Sequence, residues 1–67
     1  MPVLKVIEVL ASSDKSWEHA AQNAVTHAAK SVRNIKSCNV NNFSTLVSDA
    51  GVITEYRVNV KISFVVD

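Results

Sequence analysis

The chain has too little cysteine for one common way of stabilising a small protein. Its single cysteine, Cys38, excludes an internal disulfide framework. It also has no repeat, linker or low-complexity segment, so residues 1–67 are predicted to form one domain. A chain of this length buries only about 60% of the surface that its unfolded form exposes. We therefore expect self-association to supply the missing stability.

Charge is scarce and balanced. Seven Lys or Arg residues and six Asp or Glu residues give a net charge of +1, and no basic run is dense enough to favour nucleic acid. The N-terminal apolar stretch is short and is interrupted by Lys5 and Glu8, so it predicts neither a signal peptide nor a membrane span. The expected location is the cytoplasm, with no nucleic acid or membrane as partner.

The segment from Ser12 to Val32 has the spacing of an amphipathic helix. Ser12, Ser13 or Asp14 is the predicted N-cap, and Glu18 lies near the positive end of the helix dipole. Because most apolar positions are alanine, the helix can lie close to a flat sheet. The apolar stripe covers about four turns and contains Trp17, Ala20, Ala21, Ala24, Val25, Ala28 and Val32.

Three segments predict strands around this helix. Residues 3–11 are rich in Val, Ile and Leu, which suits a strand covered on much of both faces. Residues 35–48 predict a second strand with a bulge near Asn41. From Val52 onward apolar and polar residues alternate, which predicts a third strand with one core face and one polar face. Gly51 supplies the positive φ of the hairpin between the last two strands.

The order of these elements predicts an α+β fold, a β-α-β-β subunit with a three-stranded sheet and one helix on its apolar face. The pattern leaves open whether the first and last strands run parallel or antiparallel. It also leaves the polar face as either an ordinary solvated surface or the wall of a subunit interface or lumen. One helix leaves the second face and both edges of the sheet uncovered, so copies of the chain are expected to cover them.

Several short stretches, taken in order, resemble the dodecin family. They are Lys5-Val6-Ile7-Glu8, Ser13 with Ser16-Trp17-Glu18, Ala20-Ala21 with Ala24, Val32-Arg33-Asn34-Ile35, Gly51, Tyr56-Arg57-Val58, Val60 and Phe64. The set spans essentially the whole chain, and the length also agrees. The resemblance implies an antiparallel sheet partly wrapped around the helix. It also implies twelve subunits forming a hollow sphere that stores or protects flavins in pairs without turnover.

The resemblance also places the flavin contacts. In flavin-binding members an aromatic residue at the start of the second strand stacks on the isoalloxazine, and a glutamine on the last strand bonds its polar edge. These positions fall on Ser37 and Arg57 in this chain, and Asn42 lies near the acidic position that contacts the ribityl chain. Loss of the stacking ring should cost about 1–3 kcal/mol by analogy with base stacking. Arg57 donates hydrogen bonds but accepts none.

Two functions stay open at this point. The first is a homododecameric binding and storage protein for FMN, riboflavin or a related planar ligand, with the three residues just named at the site. The second is a structural or divalent-cation-binding shell that has lost the flavin, with Glu8, Glu55 or Asp49 supplying oxygen ligands at a symmetry contact. Enzymatic activity is not expected, because the sequence has no carboxylate pair, activated nucleophile or glycine-rich phosphate loop.

Other conspicuous side chains have ordinary structural interpretations. Trp17 belongs to the apolar stripe, so it is predicted to anchor the core rather than to stack on a ligand. His19, Asn23 and His27 recur on one polar helical face, with the histidines about 12 Å apart, too far to share a metal. That face is predicted to be solvated. Cys38 is predicted to be an inert, small apolar side chain.

Overall fold

The computed structural model describes residues 3–66. Strand β1 spans Val3–Ser13, helix α1 Trp17–Ala28, strand β2 Ile35–Val47 and strand β3 Ile53–Val66. The helix returns the chain to the end where β1 began, so β2 runs in the direction of β1. The hairpin then inserts β3 between them, antiparallel to both. The predicted β-α-β-β fold is confirmed, and the open question about the first and last strands is answered as antiparallel.

The core lies between α1 and one face of the sheet. Val58, Val60 and Ile62 alternate along β3, so all three side chains point to the same side, and Val60 and Ile62 are 0% exposed. The alanines of α1 lie directly against them, because a methyl side chain lets the helix axis approach the sheet closely. The buried cluster consists of Ala20, Ala24, Ala28, Val58, Val60 and Ile62.

The start of α1 differs from the prediction. Ser16 is the N-cap, and its Oγ accepts a hydrogen bond from the His19 backbone N–H at 3.0 Å. The predicted cap at Ser12, Ser13 or Asp14 is wrong. Strand β1 continues to Ser13, which still pairs with β3, and the helix begins only at Trp17, so Asp14 lies two residues before the cap. Glu18 does lie in the first turn, where its charge favours the helix dipole.

The helix also ends earlier than predicted. It stops at Ala28 after about three turns, so Val32 lies outside it. The backbone N–H groups of Lys30 and Ser31 donate to the carbonyls three residues earlier, at 3.2 and 3.0 Å, which is the tightened pattern of a helix that is ending. Asn34 then adopts a positive φ of 62° and turns the chain into β2.

The predicted bulge and hairpin are both confirmed. The register of β2 against β3 shifts between Val40 and Asn42, and two further shifts occur near the ends of β2. At the hairpin Gly51 has a φ of 79°, and its N–H donates to the Ser48 carbonyl at 2.9 Å. Only glycine takes this backbone conformation without a steric penalty.

Gly51→Ala should lower the free energy of unfolding by about 1–2 kcal/mol, the cost of placing a side chain at positive φ. An added Cβ would meet no atom within 4 Å, so the loss would be backbone strain alone. Urea unfolding of the two proteins measures it. Asn34→Gly is the control, because it removes strain at the other positive-φ residue and should not destabilise. Equal midpoints for wild type and Gly51→Ala would contradict the prediction.

The subunit is elongated, with dimensions of 52 × 19 × 14 Å. Its radius of gyration is 13.8 Å, whereas a compact chain of this length would have about 11 Å. The twelve-residue helix is only about 18 Å long, so it covers less than half of the sheet. None of the described residues belongs to a helix that is long and apolar enough to cross a bilayer.

Candidate ligand-binding face

The sheet face opposite α1, called here the open face, is covered by no element formed by residues 3–66. Residues that pair across neighbouring antiparallel strands lie on the same face of the sheet. The strand register therefore shows which residues belong to the open face. Leu4, Val6 and Leu10 of β1 are 56–59% exposed there. The prediction that β1 is covered on both faces is therefore wrong for one subunit. The other members are Glu8, Ser12, Ser37, Asn39, Asn42, Ser44, Leu46, Glu55, Arg57, Asn59, Lys61, Ser63 and Val65.

The central strand gives the open face a polar stripe that is rich in hydrogen-bond donors. Arg57, Asn59, Lys61 and Ser63 follow one another along β3 on this side. The Oδ1 atom of Asn59 is buried and has no hydrogen-bond partner within the described chain. A buried acceptor without a donor costs free energy, so a ligand or a second copy that supplies a donor or a cation there would be stabilising.

The three predicted site residues share the open face but do not form one cluster. Ser37 pairs with Ser63, and their hydroxyl groups hydrogen-bond to each other. Arg57 is six residues further along β3, about 20 Å away. Asn42 lies opposite Asn59 and is a diagonal neighbour of Arg57, at about 7–8 Å. One subunit therefore groups Asn42 with Arg57, and a small ligand reaches Ser37 as well only if another copy supplies it.

Every aromatic side chain lies on the helix side of the sheet. Trp17 packs edge-to-face on Phe43 and Tyr56, with ring centroids 5.6 and 5.1 Å apart. Its Nε1 donates to the Ser44 carbonyl at 3.1 Å, across the edge of β2. The fourth ring, Phe64, pairs in register with residues of that same side. Trp17 is therefore a core anchor as predicted, and the open face offers no ring on which a flavin could stack.

The acidic candidates for a cation site are also spread out. Glu8 lies on the open face directly across from Lys61, and Glu55 lies about 20 Å further along the same face. Asp49 is exposed in the hairpin turn. Residues 3–66 contain no group of three or more His, Cys, Asp or Glu side chains placed to hold a metal ion. A cation site on this chain therefore needs ligands from more than one copy, or amide, hydroxyl and backbone oxygens.

Two side chains predicted to be solvated instead join α1 to the end of β1. His19 Nδ1 and the hydroxyl of Ser13 form a hydrogen bond of 2.6 Å, and Ser13 is buried. Asn23 Nδ2 donates to the Ser12 carbonyl at 3.1 Å. The solvated-face prediction is therefore wrong for His19, whereas Asn23 is half-buried with an exposed hydrogen bond and His27 is exposed as predicted. The partners are six and eleven residues away in sequence, so no helical spacing would have indicated these contacts.

Cys38 lies on the helix side of β2, opposite Ile62. Burial raises the pKa of its thiol, which keeps the sulfur protonated and poorly nucleophilic. This agrees with the predicted structural role. Cys38 adds nothing to the chemistry of the open face.

Comparison with known proteins identifies the family. The family model described as Dodecin matches residues 3–67. The chain belongs to the dodecin family. Among curated relatives of this dodecin-family chain is the protein named calcium dodecin from Mycobacterium tuberculosis. The two are 42% identical over 64 residues, which cover 96% of this chain and 89% of the relative.

Solved dodecin structures have the same architecture. A variant of Thermus thermophilus dodecin gives a TM-score of 0.92 at 27% identity, covering 100% of this chain and 98% of that one. Dodecin from Streptomyces coelicolor gives a TM-score of 0.92 at 26% identity, and the match covers 98% of this chain and 93% of that one. The structure of Mycobacterium tuberculosis calcium dodecin gives a TM-score of 0.84 at 38% identity, and the match covers 97% of this chain and 91% of that one. That protein is described as calcium-chelating, with a novel calcium-binding site. The resemblance seen in the sequence and the predicted fold are both confirmed.

Proposed function

We propose that this chain is the subunit of a closed homo-oligomeric shell, dodecameric as in the family resemblance, that binds a divalent cation rather than a flavin. The observation that carries the shell is the surface of the isolated subunit. Its accessible area is 4822 Å², against about 4200 Å² for a compact monomer of this mass. The excess includes apolar side chains on the open face, and covering them with other copies would be favourable.

Calcium is the first candidate cation. The support comes from the similarity to calcium dodecin and from the oxygen chemistry of the open face, which presents carboxylate, amide and hydroxyl groups. Glu8 and Glu55 are the proposed carboxylate ligands on that face. Lys61 faces Glu8 within one subunit, and its positive charge opposes cation binding there. The proposed ion therefore binds where a second copy adds enough oxygen ligands to overcome the repulsion from Lys61.

The residues present do not fit a flavin sandwich. A tight sandwich needs a ring over the isoalloxazine, and all four aromatic side chains lie on the other side of the sheet. The stacking position carries Ser37, whose hydroxyl bonds to Ser63. Arg57 cannot accept a hydrogen bond from the ring N–H. These departures support the cation over the flavin.

A second candidate function, storage of FMN or riboflavin, is supported by one observation. Asn42 and Arg57 lie diagonally on the open face, where an arginine can bind a phosphate and an amide can bind ribityl hydroxyls. In this candidate Ser37 of another copy would complete the pocket. In both candidates the chain acts as a single dodecin-like domain in the cytoplasm and catalyses no reaction.

Sedimentation and thermal melting test the proposal together. We expect the purified protein to sediment as an assembly many times the 7.3 kDa chain mass. Calcium at a hundredfold excess over its Kd should add about 2.7 kcal/mol of stability to the folded state and raise the melting temperature by several degrees. FMN should cause no comparable shift.

Matched carboxylate variants locate the ions. Glu8→Gln and Glu55→Gln should reduce the calcium-dependent rise in melting temperature, because an amide is a weaker ligand for a hard cation. Glu18→Gln is the control, since that carboxylate lies in the first turn of α1. A wild-type monomer would exclude the shell. A melting temperature that rises with FMN and not with calcium would select the flavin candidate instead.

A further inference from the structure

Among residues 3–66, the two ends of the long subunit carry opposite net charge. The register and the helix position divide the described charges at about Asn59 of β3. The half toward the hairpin has four acids and two cations: Asp14, Glu18, Asp49 and Glu55, with Lys15 and Arg57. The other half has one acid and five cations: Glu8, with Lys5, Lys30, Arg33, Lys36 and Lys61. One copy is therefore electrostatically complementary to the next when they meet head to tail.

The basic end contains a shallow cavity that is open to solvent. A volume of about 330 Å³ opens between the segment that follows α1 and the last residues of β3. Val32, Phe64 and Val66 contribute apolar walls, and Arg33 lines the same cavity. A second pocket, lined in part by Lys30, lies next to this cavity along the same loop. An occupant of this site should therefore combine apolar side chains with an acidic group.

The acidic end supplies such an occupant. The β2–β3 hairpin extends beyond the helix, and Val47 and Val52 at its tip are 58% and 59% exposed. Asp49 is exposed in the turn between them. The tip is narrow, because Ser48 and Val52 are joined by a backbone hydrogen bond of 2.8 Å. It thus presents two valines and a carboxylate on a narrow two-stranded projection.

We propose that the hairpin tip of one copy docks in the cavity at the basic end of the next, with Asp49 facing the partner's Arg33. The contact is heterologous, so each copy offers one tip and one cavity, and a closed ring satisfies every site. This inference rests on the shell proposed above and adds which surfaces meet. One copy cannot make the contact with itself, because tip and cavity lie at opposite ends of a molecule 52 Å long.

Disulfide trapping tests the geometry directly. In a Cys38→Ser background, cysteines are placed by Asp49→Cys and Arg33→Cys, and the thiols are oxidised with diamide. We expect a ladder of covalent dimers and higher species on non-reducing gels. An intrachain bridge is excluded because a disulfide needs Cα atoms within about 7 Å. The control pairs Asp49→Cys with Lys15→Cys, two sites in the same acidic half, and should give no ladder above background. Equal crosslinking in both would overturn the proposal.

A charge swap tests the energetics. Asp49→Arg alone and Arg33→Asp alone should each weaken assembly by roughly a hundredfold in subunit concentration, because like charges then face each other. The double variant restores opposite charges and should recover most of the loss. Wild-type assembly should also weaken as salt rises above about 0.1 M. If the wild type assembles and neither single variant changes it, the docking is wrong while the shell stands. If the wild type stays monomeric, the shell itself fails.

Discussion

Ile62→Ala should remove about 2–5 kcal/mol from the free energy of unfolding, because it leaves a cavity at a fully buried position. Ile62 is 0% exposed and lies at the centre of the helix–sheet core. Neighbouring alanines cannot fill the gap, because they have no further side-chain atoms to rearrange. A chain of this length is expected to have about 3–10 kcal/mol of total stability, so this loss would remove a large fraction of it.

Chemical denaturation at several protein concentrations measures this effect, since unfolding of an assembly depends on concentration. Leu10→Ala is the matched control, because leucine has the same number of carbon atoms and lies 59% exposed on the opposite face. Its cost should be below about 1 kcal/mol for dissociated subunits. A loss for Ile62→Ala no greater than that for Leu10→Ala would contradict the core described above.

Ser37→Trp should create flavin affinity where the wild type has little, with a gain of roughly tenfold to a hundredfold. The substitution restores a ring at the position that the family resemblance assigns to stacking. Ser37 is exposed on the open face, so a larger side chain displaces no core residue. Quenching of FMN fluorescence by the purified variant gives the affinity.

The control for this variant is Ser44→Trp, which puts the same ring on the same face opposite Arg57. Tryptophan quenches flavin fluorescence non-specifically, so only the difference between the two variants reports the site. Adding Arg57→Gln to Ser37→Trp should increase the affinity further, because the amide can accept from the ring N–H. An assembled Ser37→Trp protein that binds FMN no better than Ser44→Trp would show that the assigned stacking position is incorrect.

The elements of this fold were predictable because each has a local pattern. Alternation in β3, the alanine stripe in α1 and the asparagines of β2 are visible within a dozen residues, and all three indicated the correct structure. The errors lie at residues whose conformation or burial is set by contacts with residues distant in sequence. Ser13 looked like a helix cap, but its pairing with Tyr56 keeps it in β1. His19 and Asn23 looked solvated, but they bond to residues at the end of that strand.

The candidate site shows the same division. Sequence resemblance placed Ser37, Asn42 and Arg57 at ligand positions, and the register puts all three on one face. Only the register also showed that Ser37 lies about 20 Å from Arg57 in one subunit. The hairpin itself was predicted from Gly51, but its projection beyond the helix and the cavity at the basic end had no sequence signature, because each depends on how separate elements are placed.

Amino-acid order alone determined the element types and the apolar faces of α1 and β3, because these follow from local periodicity, and it predicted a need for partners from the surface of a short chain. Tertiary structure decided the strand order, the open face without aromatic rings and the opposite charges of the two ends. Those features depend on the order in which the strands pair and on the shift in register at each bulge. A one-residue change in that register would turn every side chain of a strand to the other face.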